Sequence, residues 1–250
     1  MPQPFLINFP NGQTATGILV SQQSELEADL SQIGLQGPRP ILVIVGGASN
    51  ISEASFLNIQ KLFVKVLAPI AETLGAYVVD GGTDAGVMKL IGQARREIGA
   101  TFPLIGVCPL GKVAIPNDTD PPPDSTQLEP NHTHFVFIPG NNWGDESPWI
   151  VQVASEIAAG DPSVTILLNG GEITIKDAFH SVIAGRLVMV IAGSGRTADK
   201  LSSVMRGEPT KDLRFKLLAD SGLLQEIDLS ESIECLAPII KELFYRADRQ

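Results

Sequence analysis

The hydrophobic residues of this chain form short runs, and most runs are followed by glycine and then by a segment with helical periodicity. The runs hold four to six residues and are rich in valine, isoleucine and leucine, which is typical of strands buried on both faces. Six of them lie at 41–45, 76–79, 103–107, 134–138, 164–168 and 187–192. Because strands and helices alternate, we predict an α/β fold in which a mainly parallel sheet lies between two layers of helices, a three-layer α/β/α arrangement.

Two further segments flank this repeated unit. Phe5–Phe9 and Thr14–Val20 enclose an Asn-Gly pair, and such a pair between β-prone runs predicts a small N-terminal β-hairpin. Near the other end, the pattern predicts an edge strand at Leu223–Ile227 and an amphipathic helix at Glu231–Arg246. We expect one domain over residues 1–250, with the hairpin at 1–20, the core at 40–205 and a C-terminal extension at 206–250.

Composition and charge narrow the classes of function. The net charge of −10 argues against nucleic acid, whose phosphate backbone requires a basic face. Cys108 and Cys235 stand far apart, so neither a zinc knuckle nor a disulfide framework is indicated. No run reaches the roughly 18 apolar residues of a membrane helix, and the first ten residues lack a signal-peptide pattern. We therefore expect a cytoplasmic protein that binds neither nucleic acid nor a membrane.

Glycines at the strand ends are the candidate binding elements. In a parallel sheet the carboxyl ends of the strands share one edge, and each loop here precedes a helix whose unpaired N–H groups attract an anion. Glycine also lets a phosphate approach the backbone closely. One glycine pair often serves only as a turn, but four on one edge predict a phosphate-bearing ligand. The four sets are Gly46-Gly47, Gly81-Gly82 with Gly86, Gly170-Gly171, and Gly193 with Gly195.

The sequence does not fully match the common motifs for phosphate binding or for a catalytic nucleophile. The chain has no Gly-x-x-x-x-Gly-Lys-Ser/Thr run, which excludes a P-loop. Gly193–Ala198 matches the dinucleotide fingerprint, but no acidic strand end follows about 20 residues later, where the ribose contact is required. Neither Ser49 nor Ser194 lies in a Gly-x-Ser-x-Gly elbow, so a serine hydrolase is not indicated. Arg196 either contacts the ligand or is an ordinary surface arginine.

Several polar residues near the loops admit more than one role. His132 and His134 could bind a metal, contact the ligand, order a loop, or simply start a strand. A zinc site needs three or four ligands, and no third ligand stands nearby, so we predict no metal site. Asp80 and Asp84 could hold a ribose hydroxyl, or a Mg²⁺ that accompanies a diphosphate, while Asp84 could instead cap the next helix. The two tryptophans could stack on a base or belong to the core.

Four segments together resemble a known superfamily. They are Val79–Lys89, Leu128–Phe135, Leu168–Gly171 and Val190–Arg196. In this order they resemble the SLOG superfamily, and within it the N-terminal homology (LSDAT) region of melastatin-type TRP channels and its prokaryotic relatives. The resemblance covers roughly residues 40–205. It implies a Rossmann-like sheet that binds a nucleotide-derived phosphate ligand, with ADP-ribose or a related NAD metabolite as the leading candidate, and it implies a homo-oligomer.

The glycine loops and the resemblance predict a ligand that lies across the strand edge. We expect a diphosphate between the N–H groups of Gly82–Val87 and those of Gly193–Arg196. The ribose and base should extend toward Gly46–Ala48 and Asn131–His134. The predicted contact residues are Gly46, Gly47, Ala48, Gly81, Gly82, Thr83, Gly86, Val87, Asn131, His132, Gly170, Gly171, Thr174, Gly193, Ser194, Gly195 and Arg196.

A more distant resemblance suggests an enzymatic alternative. The Lonely Guy phosphoribohydrolases carry Pro-Gly-Gly-x-Gly-Thr-x-x-Glu, whose glutamate is catalytic. The stretch Asn169–Asp177 is similar, but Ile173 replaces a glycine and Asp177 replaces the glutamate. Those hydrolases also have an Arg-Lys pair on the preceding helix, whereas the helix predicted at residues 146–158 has no basic residue. Binding is therefore favoured, and a nucleotide N-glycosidase with Asp177 as its carboxylate is the alternative.

Overall fold

The computed structural model describes residues 3–49 and 52–247, so the predicted domain limits at 1 and 250 lie outside the described residues. The strands are β1 Phe5–Asn8, β2 Thr14–Leu19, β3 Ile41–Gly46, β4 Tyr77–Asp80, β5 Leu104–Pro109, β6 Val113–Ala114, β7 Thr126–Gln127, β8 His134–Ile138, β9 Ser163–Leu168, β10 Leu187–Ala192 and β11 Leu224–Asp228. The α-helices are α1 Leu26–Gln32, α2 Glu53–Leu62, α3 Ala68–Leu74, α4 Gly86–Glu97, α5 Ser147–Ala158, α6 Glu172–Ile183, α7 Arg196–Met205, α8 Leu213–Asp220 and α9 Ile233–Ala247.

Nine of these strands form one sheet, in the order β1-β2-β8-β5-β4-β3-β9-β10-β11. Only β1, which pairs with β2 in the predicted hairpin, runs antiparallel to its neighbour. The other neighbouring pairs are parallel. The predicted α/β fold with a mainly parallel sheet is confirmed. The hairpin joins this sheet through β2 and β8, and β11 forms the opposite edge, as the sequence predicts.

Both faces of the sheet are covered by helices. Along β3, alternate side chains point to opposite faces, as strand geometry requires. Ile41, Val43 and Val45 belong to a core with residues of α1, α5, α6, α7 and α8. Leu42 and Ile44 belong to a second core with residues of α2, α3, α4 and α9. The central strands are therefore mainly apolar, because neither face meets water.

Two segments differ in detail from the prediction. The helical periodicity from about Ser52 to Leu74 predicts a single helix. In the structure this helix begins at Glu53 and contains a π turn at Phe63–Leu67 between α2 and α3. By length and composition alone, Glu53–Leu74 could cross a membrane, with a mean hydropathy of 1.3. Most of its apolar residues, Phe63 among them, pack in the core under the sheet, whereas Leu57 is exposed. The proline-rich sequence at Asn117–Pro130 predicts a polar loop, but it contains the short strand β7, which pairs in parallel with β6 just before this segment.

Candidate functional site

The predicted glycine loops leave the sheet at a single edge. Strands β4, β3, β9 and β10 lie side by side and parallel, so their carboxyl ends point the same way. The loops that follow Gly46, Asp80, Leu168 and Ala192 therefore gather at one edge, as predicted. Strand β8 is parallel to β5 and hence to this group, so the loop after Ile138 leaves the sheet at the same edge.

A cavity of about 470 Å³ opens at this edge. Small-molecule sites usually occupy roughly 300–1,000 Å³, so the cavity is large enough for a nucleotide-sized ligand. Apolar side chains such as Ile44, Met88 and Ile150 form part of its wall. The predicted residues that line it are Gly46, Gly47, Gly81, Thr83, Gly170, Gly171, Thr174, Arg196 and Asp177, the last predicted only for an enzyme.

Two helices begin at the cavity without a capping side chain. The positions before α4 and α6 are Ala85 and Gly171, and neither provides a side-chain cap in the part of the chain that the structure describes. The start of α7 is different, because the N–H groups of Thr197 and Ala198 donate to the carbonyl oxygens of Gly170 and Asn169. Ala85 and Gly171 line the cavity directly. The first N–H groups of a helix lack intrahelical partners and carry partial positive charge. This arrangement can bind an anion such as a phosphate.

Arg196 supplies a positive charge at the same place. It begins α7 with a φ of 50°, in the left-handed region that non-glycine residues seldom adopt. Its Nη1 donates to the Oγ of Ser49 at 2.8 Å. A Cβ on Gly171 would lie 3.0 Å from its Nη2. The guanidinium group therefore lies beside the first turn of α6, where the free backbone donors are.

The side chain of Asn169 joins three of the loops through hydrogen bonds, although the sequence analysis did not predict Asn169 as a site residue. Its Nδ2 donates to the carbonyl oxygens of Ser194, at 2.8 Å, and of Ser49, at 3.2 Å. Its Oδ1 accepts the N–H of Gly170 at 2.7 Å. Its φ of 49° is left-handed, a conformation that asparagine tolerates better than most residues. Its position directly before Gly170-Gly171 is the feature of the sequence that could have identified Asn169 as a site residue.

The reason predicted for glycine at position 82 is wrong. The φ of Gly82 is +70°, but its missing side chain would point into the core and not toward a ligand. A Cβ there would lie 2.7 Å from the Sγ of Cys108 and 2.8 Å from the Cα of Gly106. Its N–H already donates to the Oδ1 of Asp80 at 2.7 Å. Position 82 needs glycine because β5 passes directly beneath this loop.

The loop after β10 contributes less than predicted. The N–H of Gly193 donates to the Oδ1 of Asp199 at 2.7 Å, so it is not free for a phosphate. Ser194 is buried, and its hydroxyl accepts the N–H of Asn169 at 2.8 Å. Of this loop only Arg196 lines the cavity. Other predicted contacts outside the cavity lining are Ala48, Gly82, Gly86, Val87 and Gly195.

Asn131 and His132 also lie outside the cavity lining. His132 is buried, with Nε2 2.9 Å from the Oδ1 of Asp80 and Nδ1 2.9 Å from the Oε2 of Glu129. Carboxylates only accept hydrogen bonds, so both ring nitrogens donate and the ring is positively charged. Burial alone would lower the pKa of His132, but the two carboxylates outweigh it and raise the pKa to about 9. Of the roles considered, ordering a loop fits this geometry.

The remaining polar candidates do not form a metal site. Within residues 3–49 and 52–247, no group of three or more His, Cys, Asp or Glu side chains could hold a metal ion. Asp84 forms an ion pair with Lys89 at 3.0 Å. The expectation that Asp84 caps α4 is wrong, because the cap position is Ala85. The Nδ1 of His134 lies 2.8 Å from the Oγ1 of Thr133.

An acidic pair lines the opposite part of the cavity. Glu146 and Asp177 are 7% and 6% exposed. Burial raises the pKa of Glu146. Burial also raises the pKa of Asp177 to about 7, with a further contribution from Glu146. The sequence reasoning missed Glu146, although it follows β8 at the same edge. Trp143 lines the cavity, whereas Trp149 lies in the core.

The parallel sheet, the glycine loops at one edge and the cavity there define a Rossmann-like ligand-binding protein. The chain belongs to the family described as SLOG in TRPM, prokaryote (LSDAT_prok), whose model matches residues 39–237. The match confirms the resemblance and extends beyond residue 205, through β11 and into α9. Membership of this family makes the chain a module for nucleotide-related ligands.

The curated relatives are much longer proteins. Transient receptor potential cation channel subfamily M member 2 of Mus musculus is 27% identical over 210 residues, which is 68% of this chain and 14% of the channel. Subfamily M member-like 2 of Nematostella vectensis is 27% identical over 206 residues, 68% of this chain and 13% of that protein. Subfamily M member 6 of Homo sapiens is 24% identical over 266 residues, 92% of this chain and 12% of the channel. The chain thus corresponds to a small part of each relative.

Proposed function

We propose that this protein binds a nucleotide-derived phosphate ligand in the cavity at the glycine-loop edge, with ADP-ribose or a related NAD metabolite as the first candidate. The observation that carries this proposal is that the uncapped starts of α4 and α6 and the side chain of Arg196 lie at one cavity. The protein has a net charge of −10, so an anion must be held by such local donors. Membership of the SLOG family supports the nucleotide class of ligand.

Replacing Arg196 tests where the phosphate binds. Arg196→Ala removes the guanidinium group beside α6, so we expect the affinity for a phosphate-bearing ligand to fall about tenfold, the effect of losing one charge-assisted hydrogen bond. Isothermal titration calorimetry with ADP-ribose, NAD, AMP and inorganic phosphate, with and without Mg²⁺, measures this change. Arg39→Ala is the matched control, because Arg39 is an exposed arginine just before β3, at the opposite edge of the sheet.

The outcomes of this experiment distinguish whether the protein binds the ligand from where the phosphate of the ligand lies. If the wild-type protein binds none of the four compounds, the proposed function is wrong for them. If the protein binds ADP-ribose but Arg196→Ala and Arg39→Ala bind it equally well, the phosphate does not lie beside α6. Circular dichroism of each variant shows whether the fold is intact.

The buried Asp177 favours a second candidate function, a nucleotide N-glycosidase. In this reaction water adds to the ribose C1′, the C1′–N bond breaks, and the base departs with a proton. A carboxylate beside C1′ would stabilise the positive charge that develops there. We expect no release of base, because within the cavity lining the structure shows Arg196 as the only arginine or lysine. Chromatography after incubation with AMP, cytokinin nucleotides, NAD and ADP-ribose tests this. Release of base that Asp177→Asn abolishes would establish the enzyme.

A further inference from the structure

Two acidic side chains enter the cavity from different helices. Glu146 precedes α5 and accepts the N–H of Gly144 through Oε2 at 2.7 Å. Asp177 lies in the second turn of α6. Burial raises the pKa of its carboxyl group, and the hydroxyl of Ser147 offsets part of this rise. Its Oδ1 has no partner within hydrogen-bond distance among the described residues. Both residues are more than nine-tenths buried and both line the same cavity. Buried acceptors usually have a hydrogen-bond partner. An acceptor without one beside a cavity can obtain its partner from a bound ligand, or can itself bind a proton.

The charges around this pair do not outweigh its burial. Burial, the largest effect, raises the pKa of both carboxyl groups, and Asp145 raises the pKa of Glu146 further. Lys176, exposed on α6, lowers the pKa of both groups by less. Glu172, a third acidic residue of the cavity lining, pairs with Arg214 at 2.6 Å on the surface. The guanidinium group of Arg196 lies beside the start of α6 and donates a hydrogen bond to Ser49. Two carboxylates in a poorly solvated cavity without a buried cation favour a form in which they carry a proton.

The acidic pair lies close enough to the proposed phosphate site for a bound phosphate to affect its protonation. Asp177 is five residues after the first residue of α6, which places it about 7.5 Å further along the helix axis. A phosphate held at the start of α6 would therefore lie within about 10 Å of the Asp177 carboxylate. This is close to the Debye length in about 0.1 M salt, and salt screens a buried charge such as that of Asp177 less than an exposed one. Because like charges oppose each other's ionisation, the bound anion favours the protonated pair.

We infer that Glu146 and Asp177 are specificity-determining residues that select the phosphate ligand together with a proton, so that binding takes one proton from solution onto this pair. The inference rests on the proposed function. It adds that the complex contains a proton which the free protein has largely lost at pH 8. No bond other than that to the proton forms or breaks, and the buffer supplies the proton.

Calorimetry of the wild-type protein measures the proton directly. Titration with ADP-ribose at pH 8 in buffers of different ionisation enthalpy should show uptake of about half to one proton per ligand bound. Burial raises the pKa of Asp177 to about 7 in the free protein. The affinity should therefore rise about 5- to 20-fold as the pH falls from 8.5 to 6.5 and level off below that range. ADP-ribose suits this test because its diphosphate does not titrate there.

Neutral variants locate the proton. Asp177→Asn resembles the protonated side chain, so proton uptake should disappear and the affinity at pH 8.5 should be no lower than that of the wild type. Glu146→Gln should reduce the uptake as well. Asp220→Asn, which changes an exposed aspartate at the end of α8, should leave the uptake unchanged.

Three results would overturn the inference. One is wild-type binding of ADP-ribose with no proton uptake, which leaves the proposed function standing. Another is uptake that persists in both Asp177→Asn and Glu146→Gln, which places the proton elsewhere. The third is a wild-type protein that does not bind ADP-ribose, which removes the proposed ligand and the inference together. The wild-type measurement decides the question even if a variant fails to fold.

Discussion

At the scale of single residues, Gly81 and Gly82 are neighbours that lack side chains for different reasons. Gly81 lines the cavity, and the nearest atoms to a Cβ there would be those of Met88 at 3.9 Å. Gly82 faces β5, where the Cα of Gly106 would lie 2.8 Å from its Cβ. The sequence shows only a glycine pair, because the direction of each missing side chain depends on the backbone turn and on the strand beneath it.

Gly82→Ala should therefore destabilise the fold more than it affects the ligand directly. The left-handed φ and the close approach of β5 each cost about 1–3 kcal/mol for a side chain, so we expect the free energy of unfolding to fall by about 2–6 kcal/mol. Urea denaturation followed by circular dichroism measures this loss. Gly81→Ala is the control and should change the stability by less than about 1 kcal/mol. Equal urea midpoints for Gly82→Ala and the wild type would contradict the close contact.

At the scale of elements, a buried ionic cluster joins the end of β4 to the segment before β8. The cluster consists of Asp80, His132 and Glu129. Asp80 also accepts the N–H of Gly82, and the N–H of Glu129 donates to the carbonyl oxygen of Gly82 at 2.9 Å. The loop that carries Gly81 to the cavity is thus held from both sides. Breaking such a buried network costs more than the net stability that it provides, because the remaining charges stay buried.

The charge on His132 should make the stability depend on pH. Folding raises its pKa from 6.5 to about 9. Its stabilising contribution, about 3 kcal/mol, is therefore complete below pH 6.5 and is lost as the pH rises through 9. Urea denaturation between pH 6 and 10 should show this decline in the wild type. His132→Gln should be less stable at pH 6 by about 3–5 kcal/mol and should lack the decline.

A second histidine provides the control for this experiment. His180 lies half-buried on α6, and burial lowers its pKa, so it does not gain a charge on folding. His180→Gln should keep the wild-type decline in stability above pH 6.5. A decline of equal size in His132→Gln would show that another group causes it.

At the scale of the whole molecule, the sheet order assembles the cavity from distant parts of the chain. Strands β3 and β9 are neighbours although more than 100 residues separate them. Their adjacency brings Gly47 within reach of Gly170, whose N atom would lie 3.7 Å from a Cβ on Gly47. The loop after β8 adds Trp143 and Glu146 from the other side. No local pattern contains these distances, because strand order is decided by how the helices cover both faces.

The sequence by itself determined the fold class, the hairpin, the edge strand and the common edge of the glycine loops. These follow from local patterns: apolar runs without alternation require burial on both faces, and parallel strands must end at one edge. The tertiary structure alone decided the rest. It showed that Gly82 and His132 support the loops from within the core, whereas Arg196, Glu146 and Asp177 line the cavity. Packing decides this division, because the burial and charge of each side chain depend on strands and helices that are distant in the sequence.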